Sequence, residues 1–501
     1  YLADMGIMAS GAVAAALYTS LPCPNQARTI KTAGARAVFV ENEKVMWALK
    51  AQASENLRWI LLTGEAEDTL TLDRLAEMGS KRLRADPEAF ERIHAEVCES
   101  DPAVLYMTSG ATGEPKMGLV THRALVANMD HAPAVLPLTP EDATIAFLPS
   151  AHIAQRVVVQ LVPIRQGTPV WFSEGISKLP NEIRSIRPTF FLAPPRVWER
   201  VYSTISNEIK KRPAVVRKLF YLGLGIGSEA SRLREAGKPV PAWMTASLKF
   251  FDRAVFRKIR QRLGGRIRIA ASGAAPLGKD LAEFYSAIGM PLIEGYGLTE
   301  AGVAALNPLD RPKSGSIGKM LPGVEARLEG DGELMLRTPC MFSGYYNDPE
   351  ATASVLRDGW LATGDIAEMD SDGYWYITGR KKELIVASNG KKIYPARIEG
   401  LFKREPLINQ VLLIGDRMPY ITALFTVNGA VDEARPAVEQ AVKDVNKQLP
   451  QFEQIRKFKI LDRDFSIERG EVTPTMKIRR KQVLENYRAA VSEMYMGREL
   501  G

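Results

Sequence analysis

The sequence predicts a large multi-layer α/β domain followed by a smaller α+β domain. A chain of 501 residues is too long for a single core. In the first hundred residues, short β-like runs such as Ala37 to Val40 and Trp59 to Leu62 alternate with polar helical sequence such as Leu72 to Ser80. This alternation is typical of an α/β sheet with right-handed crossovers. After residue 380, β runs at 411–414 and 421–427 and helical patterns at 395–403 and 431–448 indicate a compact α+β module. We therefore predict domains at 1–380 and 381–501.

The composition is that of an ordinary globular protein. Hydrophobic residues make up 46% and charged residues 25% of the chain, and no run approaches the roughly 18 apolar residues of a membrane span. The isolated Cys23, Cys98 and Cys340 have no metal or disulfide spacing, which favours a reducing cytoplasm. A net charge of +8 favours acidic ligands such as nucleotides, CoA or anionic lipid surfaces. No aromatic-laced basic cluster accompanies this charge, so nucleic acid is not indicated.

One loop carries the residues expected of a phosphate cradle. It follows the apolar run Ala103 to Met107, a predicted buried strand, and contains Thr108, Ser109, Gly110, Thr112, Gly113 and Lys116. Glycines let successive N–H groups point at one anion, and hydroxyls and an ammonium complete the cradle. The register of a Walker loop fails here. Because Pro115 disfavours helix at Glu114, the loop need not lead into a helix. The alternative is an ordinary Gly/Ser/Thr surface turn.

The stretch Tyr106 to His122 resembles the phosphate-binding signature of the adenylate-forming superfamily, which includes acyl-CoA synthetases, peptide-synthetase adenylation domains and luciferases. These enzymes use ATP to activate a carboxylate as an acyl-adenylate. The sequence departs from the pattern at Ala111, where Thr or Ser is usual, and at Met117, where Gly is usual. Alanine at position 111 removes one donor to phosphate. The resemblance covers essentially the whole chain.

Two further stretches suit a purine nucleotide. A predicted strand at 266–271 ends in the small residues Gly273, Ala274 and Ala275, which let a flat base lie against the backbone. The run that follows, from Glu294 to Glu300, contains Gly295, Tyr296, Gly297 and Thr299. It fails as a dinucleotide loop because Glu300 stands where a third Gly belongs. The resemblance implies that Tyr296 stacks on adenine, Thr299 contacts phosphate and Glu300 holds Mg²⁺ through a hard oxygen ligand.

The resemblance assigns roles to four residues nearer the C-terminus. Asp365, in a Thr-Gly-Asp turn, would accept both ribose hydroxyls, although such an Asp on its own is more often a turn residue. Arg380 would also bind ribose. Lys382 matches the hinge about which the mobile C-terminal domain rotates. Lys477, in Thr-Pro-Thr-Met-Lys, matches the catalytic lysine, and the alternative is a solvated helix face shared with Arg479 to Lys481.

Other features bear on the acyl substrate. His152 follows a predicted strand at 143–148, and it is either a packed capping residue or, by resemblance, part of the acyl pocket. The run Pro194 to Glu199 is most similar to the long-chain fatty acyl branch of the superfamily. Residues 203–262 form a predicted basic, helix-rich insertion, which is either a solvated cationic face or a membrane-contact surface. The run Gly223 to Gly227 lies within it and lacks the context of a dinucleotide loop.

The resemblance implies ATP-dependent activation of a long-chain fatty acid and transfer of the acyl group to CoA. Fatty acid, ATP and CoA would be the substrates and Mg²⁺ a cofactor, with Lys477, Thr299 and His152 as catalytic residues. Two alternatives stay open: transfer to a separate carrier protein, and a catalytically weakened homologue, suggested by Ala111. The chain begins at Tyr1 with a helix already under way, so we expect a further N-terminal segment.

Overall fold

The structure is a computed structural model that describes residues 1–53, 56–108, 116–388 and 390–495. The elements up to residue 187 are α1 Leu2–Ala9, α2 Cys23–Thr32, β1 Ala37–Val40, α3 Glu43–Lys50, β2 Arg58–Leu61, β3 Leu70–Thr71, α4 Leu72–Ala85, α5 Ala89–Ala95, β4 Pro102–Thr108, β5 Lys116–Thr121, α6 His122–Val135, β6 Thr144–Ala146, α7 Val162–Gln166, β7 Val170–Phe172 and α8 Leu179–Ile186, with a π-helix at Gln155–Leu161.

The middle of the chain contains β8 Phe190–Ala193, α9 Pro195–Lys210, α10 Ala214–Glu235, α11 Ala242–Phe251, α12 Arg257–Gln261, β9 Ile269–Ser272, α13 Lys279–Ala287, β10 Leu292–Leu298, β11 Gly302–Leu306, β12 Lys319–Met320, β13 Glu325–Leu328, β14 Glu333–Arg337, β15 Gly344–Tyr345, α14 Pro349–Val355, β16 Leu356–Arg357, β17 Trp360–Met369 and β18 Trp375–Arg380. A second π-helix, Asp252–Phe256, joins α11 to α12.

The C-terminal part contains β19 Ile385–Val386, β20 Lys392–Ile393, α15 Pro395–Leu401, β21 Ile408–Ile414, β22 Ile421–Val427, α16 Val431–Asn446, β23 Ile455–Ile460, α17 Arg480–Asn486 and α18 Arg488–Met494. Short 3₁₀ turns lie at Lys381–Glu383 and Phe402–Arg404. These elements form the smaller α+β unit that the sequence predicts, and the larger unit before them is the predicted multi-layer α/β fold.

The central sheet of the large domain has the order β12-β11-β10-β9-β8. Its strands β8, β9 and β10 are parallel, and their side chains alternate between two hydrophobic cores. Phe190 and Leu192 enter one core, whereas Phe191 and Ala193 enter the other, as expected of strands buried on both faces. The carboxyl ends of parallel strands share one edge of the sheet. The loop 273–276 after β9 and the end of β10 therefore lie side by side there.

The predicted phosphate loop connects two antiparallel strands. Strand β4 pairs with β5 from Pro102 opposite Thr121 to Thr108 opposite Lys116. The chain therefore leaves the loop as a strand and not as a helix, in agreement with the effect of Pro115 on the residue before it. Strand β15 joins the other edge of β5, which brings Tyr345 beside the end of the loop.

The helix-rich insertion predicted at 203–262 is present as the end of α9, α10, α11 and α12. Helix α10 packs closely on α13, and a Cβ atom at Gly227 would overlap the carbonyl of Ala287. The glycine run therefore lies inside a helix, where it serves helix packing and does not form a dinucleotide loop. Across the described ranges, no helix combines the length and apolar character needed to cross a membrane.

The small domain is built on a three-stranded sheet with the order β21-β22-β23. Strands β21 and β22 are antiparallel, and β22 and β23 are parallel. Val411 and Leu413 pack under α16, whereas Leu412 and Ile414 face the second core, formed with α17 and α18. The period of two in the sequence thus buries both faces of this sheet.

Candidate active site

A carboxylate at the centre of the large domain joins two predicted nucleotide-binding side chains. The Asp365 side chain is almost fully buried, accepts a hydrogen bond from the Tyr296 hydroxyl at 2.6 Å, and pairs with the Arg380 guanidinium at 2.9 Å. Asp365 and Arg380 are register partners on β17 and β18. Burial, followed by the charge of Asp365, raises the pKa of Tyr296 well above its usual range. These three residues therefore form one connected polar group.

Lys477 lies in a tight turn of the small domain. The backbone N–H of Lys477 donates to Thr473 Oγ1 at 3.1 Å, and its carbonyl accepts from the Thr473 N–H at 2.8 Å. Met476 adopts a φ of 63°, and Val472 and Ile478 form a bridge on either side of the turn. The Lys477 side chain is therefore presented by a closed loop and not by a solvated helix, since α17 begins only at Arg480.

Lys477 faces the polar group around Asp365. Burial, followed by the charge of the neighbouring Arg380 cation, lowers the pKa of its ammonium to about 8, while Asp365 and Glu300 act in the opposite direction. Lys477 belongs to the small domain, whereas these three neighbours belong to the large one. The structure therefore brings the predicted catalytic lysine to the predicted nucleotide site.

His152 lies near Lys477. Its Nδ1 accepts a hydrogen bond from the Ala154 N–H at 3.1 Å, which caps the turn leading into the π-helix. Burial, and secondarily the charge of Lys477, lowers the pKa of His152 to about 4. His152 is therefore neutral at physiological pH. It is thus a capping residue that also lies near Lys477, and its place in the acyl pocket stays a prediction.

Glu300 is connected to the phosphate loop through a tyrosine that the sequence reasoning did not single out. The Tyr345 hydroxyl donates to Glu300 Oε1 at 2.7 Å, and Lys116 Nζ lies 4.8 Å from the centre of the Tyr345 ring. Burial, then the charge of Glu300, raises the pKa of Tyr345. The available signal was only the position of Tyr345 in the Gly-Tyr-Tyr run after Ser343, which says nothing about its partners.

Among the residues that the structure describes, no group of three or more His, Cys, Asp or Glu side chains is arranged to bind a metal ion on its own. Protein-bound Mg²⁺ commonly takes one or two carboxylates and fills its remaining positions with water and substrate phosphates. Glu300 is a single hard-oxygen ligand held by Tyr345, and it fits an ion shared with a nucleotide.

Two hydroxyl residues flank the phosphate loop. Thr108 Oγ1 donates to the carbonyl of Lys116 at 3.0 Å, which ties together the two ends of the loop. Thr299 packs against Gly118 so closely that a Cβ at Gly118 would lie 3.1 Å from Thr299 Cγ2. Both threonines are therefore placed at the loop. The other predicted residues of the loop, namely Ser109, Gly110, Thr112 and Gly113, lie outside the described residues together with Ala111.

The predicted purine-binding segments meet at the edge of the central sheet. Gly273, Ala274 and Ala275 follow β9, and Ala274 has a φ of 72°. Gly295, Tyr296 and Gly297 lie in β10, with a bulge between Tyr296 and Gly297. Glu294 is buried and accepts a hydrogen bond from the Leu277 N–H at 3.1 Å, and burial raises its pKa to about 7. Its carboxyl group thus ties β10 to the loop after β9.

The two domains also touch through side chains that the sequence did not indicate. Lys403 Nζ lies 3.0 Å from Glu199 and donates to the carbonyl of Pro276 at 2.8 Å. Arg404 pairs with Asp280. Arg196 donates to the carbonyl of Asn409 at 2.8 Å. Lys382, the predicted hinge, is exposed in the 3₁₀ turn between β18 and β19.

The sequence matches two family models. Residues 1–346 match the family described as AMP-binding enzyme, and residues 382–499 match the AMP-binding enzyme C-terminal domain. The chain therefore belongs to the AMP-binding enzyme family. This confirms the superfamily inferred from the phosphate, adenine and lysine motifs, and it confirms the two-part fold class.

Proteins of similar sequence indicate the branch of the family to which the chain belongs. The chain is 34% identical to a long-chain-fatty-acid–CoA ligase, FadD15, of Mycobacterium bovis, with 98% of this chain and 85% of that protein covered. It is 27% identical to the long-chain-fatty-acid–CoA ligase ACSBG2 of Rattus norvegicus, with 99% and 82% covered. The predicted long-chain acyl-CoA synthetase branch is therefore confirmed.

Solved structures support the fold. The adenylation domain of a carboxylate reductase from Mycobacterium chelonae superposes with a TM-score of 0.73 at 21% identity, covering 97% of this chain and 77% of that one. The amide bond synthetase McbA from Marinactinospora thermotolerans superposes with a TM-score of 0.68 at 21% identity, covering 97% and 86%. At these identities the likeness concerns the fold alone.

Proposed function

We propose that this enzyme uses ATP to activate a long-chain fatty acid as an acyl-adenylate and then transfers the acyl group to CoA, releasing pyrophosphate and AMP. The similarity to the mycobacterial FadD15 ligase over almost the whole chain supports this substrate class. The position of Lys477 is the main structural support for this mechanism. A lysine of the small domain faces Asp365, Arg380 and Glu300 of the large domain, as an enzyme that assembles its site from two domains requires.

The residues of the chain would divide the work as follows. Asp365 would accept hydrogen bonds from the ribose hydroxyls, with Arg380 beside it, and Tyr296 would stack on adenine in the cleft after β9 and β10. Lys477, Lys116 and the loop hydroxyls, with Thr299 nearby, would stabilise the negative charge that develops on phosphate oxygens as the carboxylate attacks. Phosphoryl chemistry of this kind depends mainly on positioning and charge stabilisation.

Glu300, held by the Tyr345 hydroxyl, is the residue that would hold Mg²⁺. When bound there, the ion would neutralise part of the phosphate charge. Neutral His152 would line the acyl side of the site, where an uncharged ring is compatible with a fatty acid chain.

The second half-reaction needs access for a thiol. The acyl-adenylate is a mixed anhydride, so the CoA sulfur can displace AMP directly. We propose that the small domain, from residue 381 onward, rotates about Lys382, so that Lys477 leaves the site and a path for CoA opens. Such domain motions commonly separate the steps of a reaction in one pocket. The exposed position of Lys382 between two strands supports this role.

The location of the enzyme is also part of the proposal. Cys23, Cys98 and Cys340 are free thiols, which supports a reducing cytoplasm. We propose peripheral contact with a membrane, since long-chain fatty acids partition into lipid and the insertion 203–262 is basic.

Two assays test the function. Pyrophosphate exchange, scored over a panel of carboxylic acids of different chain lengths, measures adenylation alone. AMP release, with and without CoA, then measures thioester formation. We expect exchange with long-chain acids and a strong stimulation of AMP release by CoA. Exchange without CoA stimulation would indicate transfer to a carrier protein, and the absence of exchange with every acid would indicate a catalytically weakened homologue; either result contradicts the proposal.

A further inference from the structure

Two helices of the large domain expose an unusual amount of apolar surface. In α10, Val215 is 78% exposed and Leu222 58%; in α11, Trp243 is 59% and Phe250 58% exposed. Tyr221 is exposed as well. Trp243 and Phe250 are seven residues apart, as are Val215 and Leu222, so each pair lies along one side of its helix. These five side chains define what we term the α10–α11 face.

The inner sides of the same two helices are packed together. Phe220 and Phe251 are buried, and a Cβ at Gly223 would overlap the Phe251 ring. Leu222 directly precedes Gly223, and Phe250 directly precedes Phe251. The exposed residues therefore lie beside a tight helix crossing, and their exposure is not the consequence of a loosely packed segment.

The surroundings of this face are strongly basic. Residues 209–228 and 236–251 contain no Asp or Glu, whereas they contain seven Lys or Arg residues: Lys210, Lys211, Arg212, Arg217, Lys218, Lys238 and Lys249. Each of the four acidic residues that flank the two runs has another partner: Glu229 pairs with Arg232 at 3.8 Å, and Glu235 accepts a hydrogen bond from the Ser314 hydroxyl at 2.8 Å. Asp252 pairs with Arg260 at 2.6 Å, and Glu208 pairs with Arg262. The positive charge of the face is therefore not neutralised by neighbouring carboxylates within the described residues.

We infer that the α10–α11 face docks the enzyme on anionic lipid bilayers. Exposed aromatic and aliphatic side chains surrounded by lysine and arginine are the pattern of an interfacial helix, in which the apolar residues enter the headgroup region and the cations contact phosphates. Trp and Tyr favour this depth because one end of each ring system is polar. Both an anionic bilayer and an acidic protein would complement the positive charge. We favour the bilayer, because a protein partner would also need an apolar surface that matches five separate side chains. This inference rests on the proposed function only in that the substrate comes from lipid.

The first test is co-flotation of the full-length enzyme with vesicles of phosphatidylcholine alone or mixed with phosphatidylglycerol. We expect binding to the anionic vesicles only, decreasing with added salt because screening weakens exposed charges. Each cation near an anionic surface changes affinity about fivefold. The variant combining Lys218→Gln and Lys249→Gln should therefore bind more than about tenfold more weakly. Trp243→Ser combined with Phe250→Ser should lower binding by a comparable factor and reduce its persistence at high salt.

Matched controls lie on a different helix. Trp47 is also exposed but belongs to α3, which packs on β1 and β2. Trp47→Ser, and Lys44→Gln in the same helix, should leave vesicle binding unchanged. All variants should retain wild-type pyrophosphate exchange when the fatty acid is supplied in solution on a soluble carrier, because no residue of the face belongs to the nucleotide site.

The outcomes separate the two proposals. Equal binding of the wild type to neutral and anionic vesicles, or equal loss in the Trp47 control, would overturn the docking surface while leaving the reaction intact. A Trp243→Ser variant that changes the sedimentation coefficient would assign the face to contact between copies of the chain, which also overturns it. Anionic-vesicle binding that depends on the face, in an enzyme without exchange activity, would confirm docking and refute the reaction.

Discussion

The protonation state of Lys477 makes a sharp prediction about the first half-reaction. Burial and the Arg380 cation lower its pKa to about 8. In the free enzyme the ammonium therefore predominates below that pH and is lost above it, with about nine-tenths charged at pH 7 and about one-tenth at pH 9. Because the role proposed for the charged form is to stabilise the phosphates, kcat/KM for ATP in adenylation should fall about tenfold per pH unit above pH 8. Bound phosphates favour the charged form, so kcat should keep its value to a higher pH.

The assay is pyrophosphate exchange measured without CoA, since the thiol of CoA itself titrates in this range. Two variants isolate the lysine. In Lys477→Arg the cation stays protonated throughout, so the alkaline decline should disappear even if the rate is lower. In Lys477→Met exchange should be at least about a hundredfold slower and independent of pH from 7 to 9. The same alkaline decline in Lys477→Met would assign the titration to another group and refute this reasoning.

Three further substitutions test the remaining contacts. Tyr345→Phe removes the hydrogen bond to Glu300 but keeps the aromatic ring beside Lys116. The Mg²⁺ concentration that gives half-maximal pyrophosphate exchange should therefore rise about tenfold. The KM for ATP, measured at saturating Mg²⁺, should be unchanged. Asp365→Asn removes the carboxylate that joins Tyr296 to Arg380. The KM for ATP should rise at least about tenfold, because hydrogen bonds to charged groups contribute about 1.5–3 kcal/mol. An unchanged KM would contradict the proposed ribose contact of Asp365. Lys382→Pro fixes φ near −65° at the proposed hinge and so restricts rotation of the small domain. Quench-flow measurements should show that acyl-adenylate forms and then accumulates. Thioester formation at the wild-type rate would mean that the pivot lies elsewhere.

The sequence predicted the elements well where the pattern is local. Strand β1 occupies the predicted residues 37–40, and α9 begins at Pro195, as the preference of proline for the first helical turn requires. Helix α6 continues to Val135 even though Pro133, which disfavours a helix interior, lies inside it. Helix α6 packs on the central sheet beside β11, and tertiary packing of this kind outweighs local propensity.

The site was predictable as a set of residues but not as a set of contacts. The motifs placed Tyr296, Asp365 and Arg380 in one function, yet no spacing in the sequence indicates that they form one hydrogen-bonded group. The contacts of Tyr345 were missed for the same reason, since its partners Glu300 and Lys116 lie more than 40 residues away in the chain. Such contacts depend on strand pairing, which a single sequence does not specify.

The interface between the two domains bears directly on the proposed rotation. Lys403 and Arg404 of the small domain pair with Glu199 and Asp280 of the large one. Partly exposed ion pairs contribute about 0–1 kcal/mol each. A few such pairs therefore stabilise this domain arrangement only weakly, and the small domain can still rotate. Lys403 also donates to the carbonyl of Pro276, the last residue of the loop 273–276 that is proposed to hold adenine. In the proposed rotation, withdrawal of the small domain would break this contact and remove Lys477 together, so the departure of the proposed catalytic lysine would be coupled to looser binding of AMP.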